Sequence, residues 1–313
     1  MDEPSISVGW IGLGNAGYLM AACLAKKGHR LLVRDADPTR GIEFVEEHAK
    51  CRVATSDPDS FQNCQILVTM LPNGKVVNDV LLGEHGIAPH LKPGSVVIDT
   101  SSSSPFDTRA LGLELSRLRV DLIDSPITQE QLHAIDRGGA TLMVGADSAG
   151  ALEKVMPILK DMSTHVFTMG GLGAGHTMKT LNNYVSVGSI IALNDALVTG
   201  RKLGLDPQTM IDVMNVGTGV NFSTKYSQKN LKSYDTGYQL ELLVKDVKIA
   251  KDVIEKSGFE TGLPALAERY LEDSLKVVGK GADHAESLKS WEQRAGVEIK
   301  KTEKGEKEQN LSQ

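Results

Sequence analysis

The sequence predicts an α/β fold, in which a doubly wound, mostly parallel sheet is followed by an all-helical region. Short apolar and β-branched runs alternate with helical stretches over the first half of the 313 residues, and no convincing strand pattern follows residue 204. A third observation is a glycine-rich turn directly after the first apolar run, at residues 12–17. We therefore expect ligands to bind at the carboxyl ends of the parallel strands.

The predicted strands are bounded by Gly, Pro, Asp or Asn. They cover residues 6–11, 30–34, 52–55, 65–70, 95–99, 120–124, 141–145 and 165–169. Several of these strands end at or near an aspartate or a proline, namely Asp35, Pro72, Asp99 and Pro126. In a parallel sheet these residues would collect along one edge.

The chain is about twice the usual domain size, so we expect two domains. Residues 1–173 form the predicted sheet domain, residues 174–204 a long helix between the domains, and residues 205–299 an all-helical domain. The helical periodicity of this last part covers residues 207–216, 240–256, 264–278 and 285–295. Residues 300–313 mix charges without apolar periodicity and are predicted to be a disordered tail.

Composition and charge argue against several classes of protein. Lys and Arg number 34 against 40 Asp and Glu, and the net charge of −6 offers no positive field to a nucleic-acid backbone. The cysteines, Cys23, Cys51 and Cys64, form no C-x-x-C pair, which favours a reducing compartment over a disulfide framework or a metal site. Neither a membrane-length apolar run nor a signal or transit peptide is apparent. We therefore expect a cytoplasmic protein with no nucleic-acid and no membrane partner.

The glycine-rich turn lies between a predicted strand and a predicted helix. Here Gly12 allows a tight turn, Gly14 allows the backbone to approach a pyrophosphate, and Gly17 allows the helix to pack on the strand. The helix amino terminus adds N–H donors and positive potential. Residues 1–173 are therefore predicted to be a Rossmann-type NAD-binding domain, the alternative being a glycine-rich turn without a ligand. The candidate cofactor contacts in the turn are Gly12, Leu13, Gly14, Asn15, Ala16 and Gly17.

Asp35 follows the second predicted strand, 23 residues after Gly12. A carboxylate at this place accepts both ribose hydroxyls of NAD and repels the extra phosphate of NADP. The spacing therefore predicts NAD rather than NADP. Arg34 or Arg40 could instead turn toward a 2′-phosphate, and the alternative for Asp35 is a plain turn carboxylate.

A second glycine-rich segment, residues 170–175, leads into the long helix, which carries Lys179 and Asn183. Residues four apart in a helix share one face. A dry cleft disfavours the charged form of lysine and so suits it to proton exchange near neutral pH, while an amide can orient a hydroxyl or a carboxylate. Lys179 is therefore a candidate general acid/base, with a solvated lysine as the alternative. His176 has the commoner interpretation of a packing histidine.

Taken together, these motifs resemble those of the β-hydroxyacid dehydrogenase family, which includes the 3-hydroxyisobutyrate, tartronate semialdehyde and glyoxylate/succinic semialdehyde reductases. The resemblance covers residues 6–297. It rests on residues 12–17, Met70-Leu71-Pro72, Asp99-Thr100-Ser101-Ser102, the segment 173–183 and Lys245-Asp246. It implies hydride transfer between NAD(H) and a small β-hydroxyacid or the matching semialdehyde, and a homodimer or homotetramer.

Residue by residue, the resemblance makes Lys179 the catalytic lysine and Asn183 the amide that orients the substrate. Lys245 matches a lysine that reaches the cofactor from the helical domain. The other implied contacts are Leu71, Pro72 and Ser102 for the cofactor, and Ser101, Thr128 and Phe222 for the substrate. For Phe222, which follows a glycine turn, the start of a helix is the stronger interpretation. No spacing of His, Cys or carboxylates suggests a metal.

One stretch departs from the family pattern Asp-x-Pro-Val-Ser-Gly-Gly. Residues 124–130 read Asp-Ser-Pro-Ile-Thr-Gln-Glu, so Thr128 keeps a hydroxyl, both glycines are replaced, and Glu130 would oppose an anion if it faced the cleft. The sulfolactaldehyde reductases, similar at residues 182–184, also lack those glycines, so a substrate with an altered acid headgroup is an open alternative.

Three other functions stay open at this point. An imine reductase shares this architecture but usually lacks the lysine. An NAD(H)-binding regulatory or scaffold protein would bind the cofactor without turnover. A plain interaction protein would bind no nucleotide at all.

Overall fold

A computed structural model of the chain describes residues 8–128, 140–231 and 236–299, and for residues 228–230 it describes the backbone only. The chain divides into two compact units, residues 1–179 and 180–313. The division falls inside a helix, Ala174–Lys202, whereas the domain limits predicted from the sequence follow the ends of that helix and stay a prediction. The predicted tail lies outside the described residues.

The first unit is built on one sheet. Its strands are β1 Val8–Ile11, β2 Leu31–Arg34, β3 Arg52–Val53, β4 Ile66–Thr69, β5 Val96–Asp99, β6 Asp121–Asp124, β7 Ile127–Thr128, β8 Thr141–Ala146 and β9 His165–Gly170. The strand order is β3-β2-β1-β4-β5-β6-β8-β7, with β9 paired to β8. Strands β1 to β6 are parallel, and β8 runs antiparallel to β6 and β7. This is the strand order of a doubly wound dinucleotide-binding sheet, so the predicted fold class is confirmed.

Two strands differ from the sequence prediction. Strand β3 is shorter than expected because it is an edge strand whose pairing with β2 involves only Arg52 and Val53. Strand β7 was not predicted, since two residues carry no alternating pattern. It forms because Ile127 and Thr128 pair with Leu142 and Thr141.

Helices cover both faces of this sheet. They are α1 Asn15–Lys26, α2 Pro38–Glu47, α3 Gly74–Leu82, α4 Pro105–Arg117 and α5 Ala149–Asp161, and α6 Ala174–Lys202 begins directly after β9. Consecutive residues of a strand enter different apolar clusters: Val68 packs with Trp10 and Met20, whereas Leu67 packs with Leu81. Because both faces are buried, the central strands are continuous apolar runs.

Among the described residues, the second unit contains helices joined by turns and loops, and no named strand. Helix α6 continues to Lys202, followed by α7 Pro207–Val216, α8 Phe222–Asn230, α9 Leu240–Lys256, α10 Leu263–Val278 and α11 Leu288–Ala295. A capping box starts α8, because Asn221 and Thr224 each accept a hydrogen bond from the other's backbone N–H. Buried residues such as Ile211, Leu271 and Trp291 form the core of this unit. Within the described residues, no helix combines the length and apolar character that crossing a bilayer requires.

Candidate active site

The turn between β1 and α1 shows why each of its glycines is present. Gly12 has a φ of +101°, and a Cβ there would lie 2.1 Å from the carbonyl oxygen of Met70. A Cβ on Gly17 would lie 2.2 Å from the carbonyl oxygen of Gly12. A Cβ on Gly14 would meet no heavy atom within 4 Å. Chain packing therefore requires Gly12 and Gly17, whereas Gly14 borders an open space of the kind a pyrophosphate needs.

Helix α1 directs its amino terminus at this open space. Gly14 is its N-cap and supplies no side-chain cap, so the positive end of the helix is available to a ligand. Asn15 is exposed and Ala16 is half-buried in the first turn. Leu13 differs from these two residues, because its side chain is buried and its N–H donates to the carboxylate of Asp35 at 2.6 Å. The geometry thus fits the phosphates of a dinucleotide.

Asp35 follows β2 and is held beside the turn. Its Oδ2 accepts from the N–H of Leu13, and its Oδ1 accepts from the N–H of Asp37 at 2.9 Å. A carboxylate has further lone pairs, so ribose hydroxyls can still donate to it. Arg40 is the nearby cation, because its guanidinium donates to the carbonyl oxygen of Leu13 at 2.9 Å. Arg34 instead lies over the ring of Phe61, 5.2 Å from the centroid.

The segments after β4 and β5 are joined by a hydrogen bond. The N–H of Leu71 donates to the hydroxyl oxygen of Ser101 at 2.9 Å, and Ser101 is buried. Asp99, at the end of β5, accepts from the N–H of Ser101 at 3.0 Å. Pro72 is exposed and Ser102 half-buried, so both reach the surface at this edge. Ser101 bridges the two segments, and its predicted substrate contact stays a prediction.

The start of helix α6 is fixed to the same edge of the sheet. Asp124, the buried last residue of β6, accepts from the backbone N–H groups of Gly173 and His176, each at 2.7 Å. Burial raises the pKa of the Asp124 carboxyl above its ordinary value. Sequence reasoning noted Asp124 only as part of a motif and missed this role. The available signal was a carboxylate at the end of an apolar strand, where it needs partners.

His176 is fully buried in the first turn of α6. Its Nδ1 lies 2.8 Å from the hydroxyl oxygen of Thr108, and its Nε2 lies 3.0 Å from the carbonyl oxygen of Ser101. Because a carbonyl oxygen only accepts, Nε2 carries a proton. His176 therefore ties α6 to α4 and to the segment after β5.

Lys179 lies one turn beyond Gly175 on α6 and is half-buried. Asn183 follows one turn later on the same helix face, as the spacing predicted. Thr128 is half-buried at the end of β7, where it pairs with Thr141. Residues 129–139, which include the altered Gln129-Glu130 stretch, lie outside the described residues.

In the second unit, Asn183 and Lys245 meet at one carboxylate. The Nδ2 of Asn183 donates to Oδ2 of Asp246 at 2.6 Å, and Nζ of Lys245 lies 3.2 Å from Oδ1. The hydroxyl of Tyr238 donates to the same Oδ2. Asp246 is buried on the apolar face of α9, next to Val247. The sequence pointed to Lys245-Asp246 only through the family resemblance, and it did not indicate Tyr238.

Phe222 begins α8 with a half-exposed ring, 6.3 Å from the ring of Tyr226. It lines a pocket with Ile190, Asn194 and Ser223. The contacts of Phe222 thus lie in this pocket, and its role toward a substrate stays a prediction. Across residues 8–128, 140–231 and 236–299, no group of His, Cys, Asp or Glu could hold a metal ion.

Comparisons with known proteins show similarity over most of the chain. Residues 7–171 match the family described as the NAD binding domain of 6-phosphogluconate dehydrogenase. Residues 173–291 match the family described as NAD-binding of NADP-dependent 3-hydroxyisobutyrate dehydrogenase. The chain is 30% identical to 2-(hydroxymethyl)glutarate dehydrogenase of Eubacterium barkeri, over 95% of this chain and 98% of that protein. It is 29% identical to 3-sulfolactaldehyde reductase of Escherichia coli, over 88% and 92% of the two chains.

Solved structures share the fold. The 3-hydroxyisobutyrate dehydrogenase of Mycobacterium tuberculosis with L-serine has a TM-score of 0.81 at 24% identity, over 91% of this chain and 98% of that one. An imine reductase of Streptomyces aurantiacus has a TM-score of 0.58 at 18% identity, over 90% and 98%. The fold and the site define an NAD(P)-binding oxidoreductase. Within that class, the chain belongs to the β-hydroxyacid dehydrogenase family.

Proposed function

We propose that the protein is an NAD-dependent dehydrogenase or reductase that interconverts a small β-hydroxyacid and the matching semialdehyde. One observation carries this proposal. The helix that bears Lys179 is fixed, through Asp124 and His176, to the carboxyl edge of the sheet, the edge at which the glycine turn opens. This supports a proton-transferring role for Lys179, because dinucleotides bind on that side of a parallel sheet.

Each of the candidate residues has a separate role in the proposed reaction. A bound nicotinamide dinucleotide supplies the hydride carrier. Lys179 accepts the hydroxyl proton during oxidation and returns it during carbonyl reduction. Asn183 and Thr128 hold the substrate, the amide through an N–H or its oxygen and the threonine through its hydroxyl. Ser101 and Phe222 are the further candidates for substrate contact.

For the cofactor we propose NAD rather than NADP. The carboxylate of Asp35 is held at the end of β2 by two backbone N–H groups, where it can accept ribose hydroxyls and oppose a 2′-phosphate. Leu71, Pro72, Ser102 and Lys245 are the further proposed contacts. Arg40, bonded to Leu13, is the group through which NADP would gain affinity if the carboxylate were removed.

For the substrate, the activities of the relatives support one class of compound. The relatives include a hydroxymethylglutarate and a 3-hydroxyisobutyrate dehydrogenase and a 3-sulfolactaldehyde reductase. These substrates combine an acidic group with a hydroxyl or an aldehyde. We infer the same combination for this protein, with a carboxylate or a sulfonate as the acidic group.

We further propose a cytoplasmic homodimer or homotetramer. Exposed apolar side chains lie on α6 and α7, and such side chains are commonly covered by association. They are Met178, Leu181, Val185, Val213 and Val216.

A turnover screen tests the function. NAD and NADP are supplied separately with short hydroxyacids, sulfonates, semialdehydes and cyclic imines, and the absorbance of the reduced cofactor is followed. Lys179→Ala should lower kcat by about a hundredfold or more, while the affinity for NADH is kept. Lys202→Ala, at the exposed far end of the same helix, is the matched control and should behave as wild type.

The other outcomes separate the alternatives. Tight NADH binding without turnover of any compound would favour a regulatory or scaffold protein, and turnover of imines alone would favour an imine reductase. Turnover by Lys179→Ala near the wild-type rate would overturn the role of the lysine.

A further inference from the structure

Asp246 is a buried carboxylate on which several donors converge. Its side chain is 4% exposed, and its Oδ2 accepts from Asn183 and from the hydroxyl of Tyr238. A carboxylate only accepts hydrogen bonds, so the atom of Asn183 that faces it is the amide nitrogen. Asp246 therefore determines the orientation of the Asn183 amide, with Nδ2 toward the carboxylate.

We propose that Tyr238 is a positioning residue, which holds the amide of Asn183 in one orientation through their shared partner, Asp246. This inference rests on the proposed function, in which Asn183 holds the substrate. Tyr238 and Asn183 bind the same oxygen of Asp246, whereas Lys245 lies against the other. The phenol thus restricts both the rotation of the carboxylate and the direction from which the amide N–H approaches.

Tyr238 is itself held firmly. The N–H of His284 donates to its carbonyl oxygen at 2.9 Å, and the rings of the two residues meet edge to face at 5.9 Å. Burial and the neighbouring Asp246 raise the pKa of the Tyr238 phenol well above its ordinary value, so the hydroxyl stays a donor. A neutral donor beside a charged acceptor makes a strong hydrogen bond.

In the proposed reaction, the substrate binds to the amide atoms of Asn183 that do not contact Asp246. One N–H of the Asn183 amide donates to Asp246, which leaves the second N–H for a substrate. The amide oxygen Oδ1 accepts from Asn182 at 3.3 Å and keeps one further lone pair. Asn183 lies one helical turn from Lys179. A substrate oxygen bonded to a fixed amide is therefore held at a constant place relative to the helix that carries Lys179, and a mobile amide would lose that alignment.

A double-mutant cycle tests the proposal. Tyr238→Phe keeps the ring and removes the hydroxyl, and we expect kcat/KM for the best substrate to fall about tenfold. In the Asn183→Ala background the same change should have no further effect, because the residue through which Tyr238 acts is gone. Tyr270→Phe, a half-buried tyrosine in the same unit, is the matched control and should leave kcat/KM unchanged in both backgrounds.

Equal losses from Tyr238→Phe in the two backgrounds, or no loss in the wild-type background, would overturn the proposal. A second readout does not need activity. In protein labelled with ¹⁵N-asparagine, the side-chain amide signal of Asn183, identified by its loss in Asn183→Ala, should shift in Tyr238→Phe and not in Tyr270→Phe. An unshifted signal refutes the positioning role even if no substrate is found, whereas a shifted signal without any turnover rejects the proposed function alone.

Discussion

The carboxylate of Asp124 accepts a hydrogen bond from the backbone N–H of His176 at 2.7 Å, and this contact fixes the first turn of helix α6 to the end of strand β6. The other carboxylate oxygen accepts from Gly173 at the same distance. A helix amino terminus has N–H groups without partners inside the helix and a partial positive charge, and a buried carboxylate satisfies both. The position of Lys179 along the sheet edge therefore depends on Asp124.

Replacing Asp124 by alanine should destabilise the protein. The change leaves the N–H groups of Gly173 and His176 without their acceptor, and each buried orphan costs about 1–3 kcal/mol. The free energy of unfolding in urea is expected to fall by about 2 kcal/mol or more. Asp121→Ala, at the other end of β6, is the matched control and should stay close to wild type, because Asp121 is half-buried and lies away from this helix start. Similar losses in the two variants would contradict the role of Asp124.

The glycine turn offers a contrast between folding and binding. Gly14 has a φ of −63° and open space around it, so Gly14→Ala should change the free energy of unfolding by less than about 0.5 kcal/mol while it weakens NADH binding. Gly12→Ala combines a positive φ with a clash against Met70, so it should lower stability strongly. Thermal unfolding and a fluorescence titration with NADH measure the two effects. Wild-type affinity in Gly14→Ala would show that no phosphate occupies this space.

Local patterns explain what the sequence could predict. The strands around residues 66–69 and 96–99 are apolar runs bounded by turn residues, and the glycine turn follows the first of the runs directly. The missed features depend on residues far apart in the chain. Asp124 bonds to His176 across 52 positions, and Asn183 bonds to Asp246 across 63. Such contacts arise from tertiary packing, and no short-range periodicity encodes them.

The stability of the protein should depend on the titration of His284. Burial lowers the pKa of this imidazole below its ordinary value of 6.5, so the unfolded chain binds a proton more readily than the folded one. The stabilisation is thus fully present above pH 6.5 and is lost as the pH falls below this value toward the folded pKa. The free energy of unfolding is measured in urea at slightly alkaline and at mildly acidic pH. It should fall more between these two conditions in the wild-type protein than in His284→Gln. An equal pH dependence of the two proteins would rule out this contribution.

Removing the carboxylate of Asp35 should shift the cofactor preference. Asp35→Ser keeps an oxygen that can accept from the N–H of Leu13, and it removes the negative charge that opposes a 2′-phosphate. Because Arg40 remains bonded to Leu13 nearby, the ratio of kcat/KM for NADP over NAD is expected to rise about tenfold or more. The gain should disappear when Arg40→Ala is added to Asp35→Ser.

Asp37→Ser is the matched control for this prediction. It removes the same charge two residues away, where the exposed Asp37 carboxylate caps helix α2 through the N–H of Thr39 at 3.0 Å. Its cofactor ratio should stay near that of the wild type, because Asp37 is not the carboxylate bonded to the glycine turn. If both variants shift the ratio equally, the preference arises from overall charge, and if neither does, Asp35 does not contact the ribose.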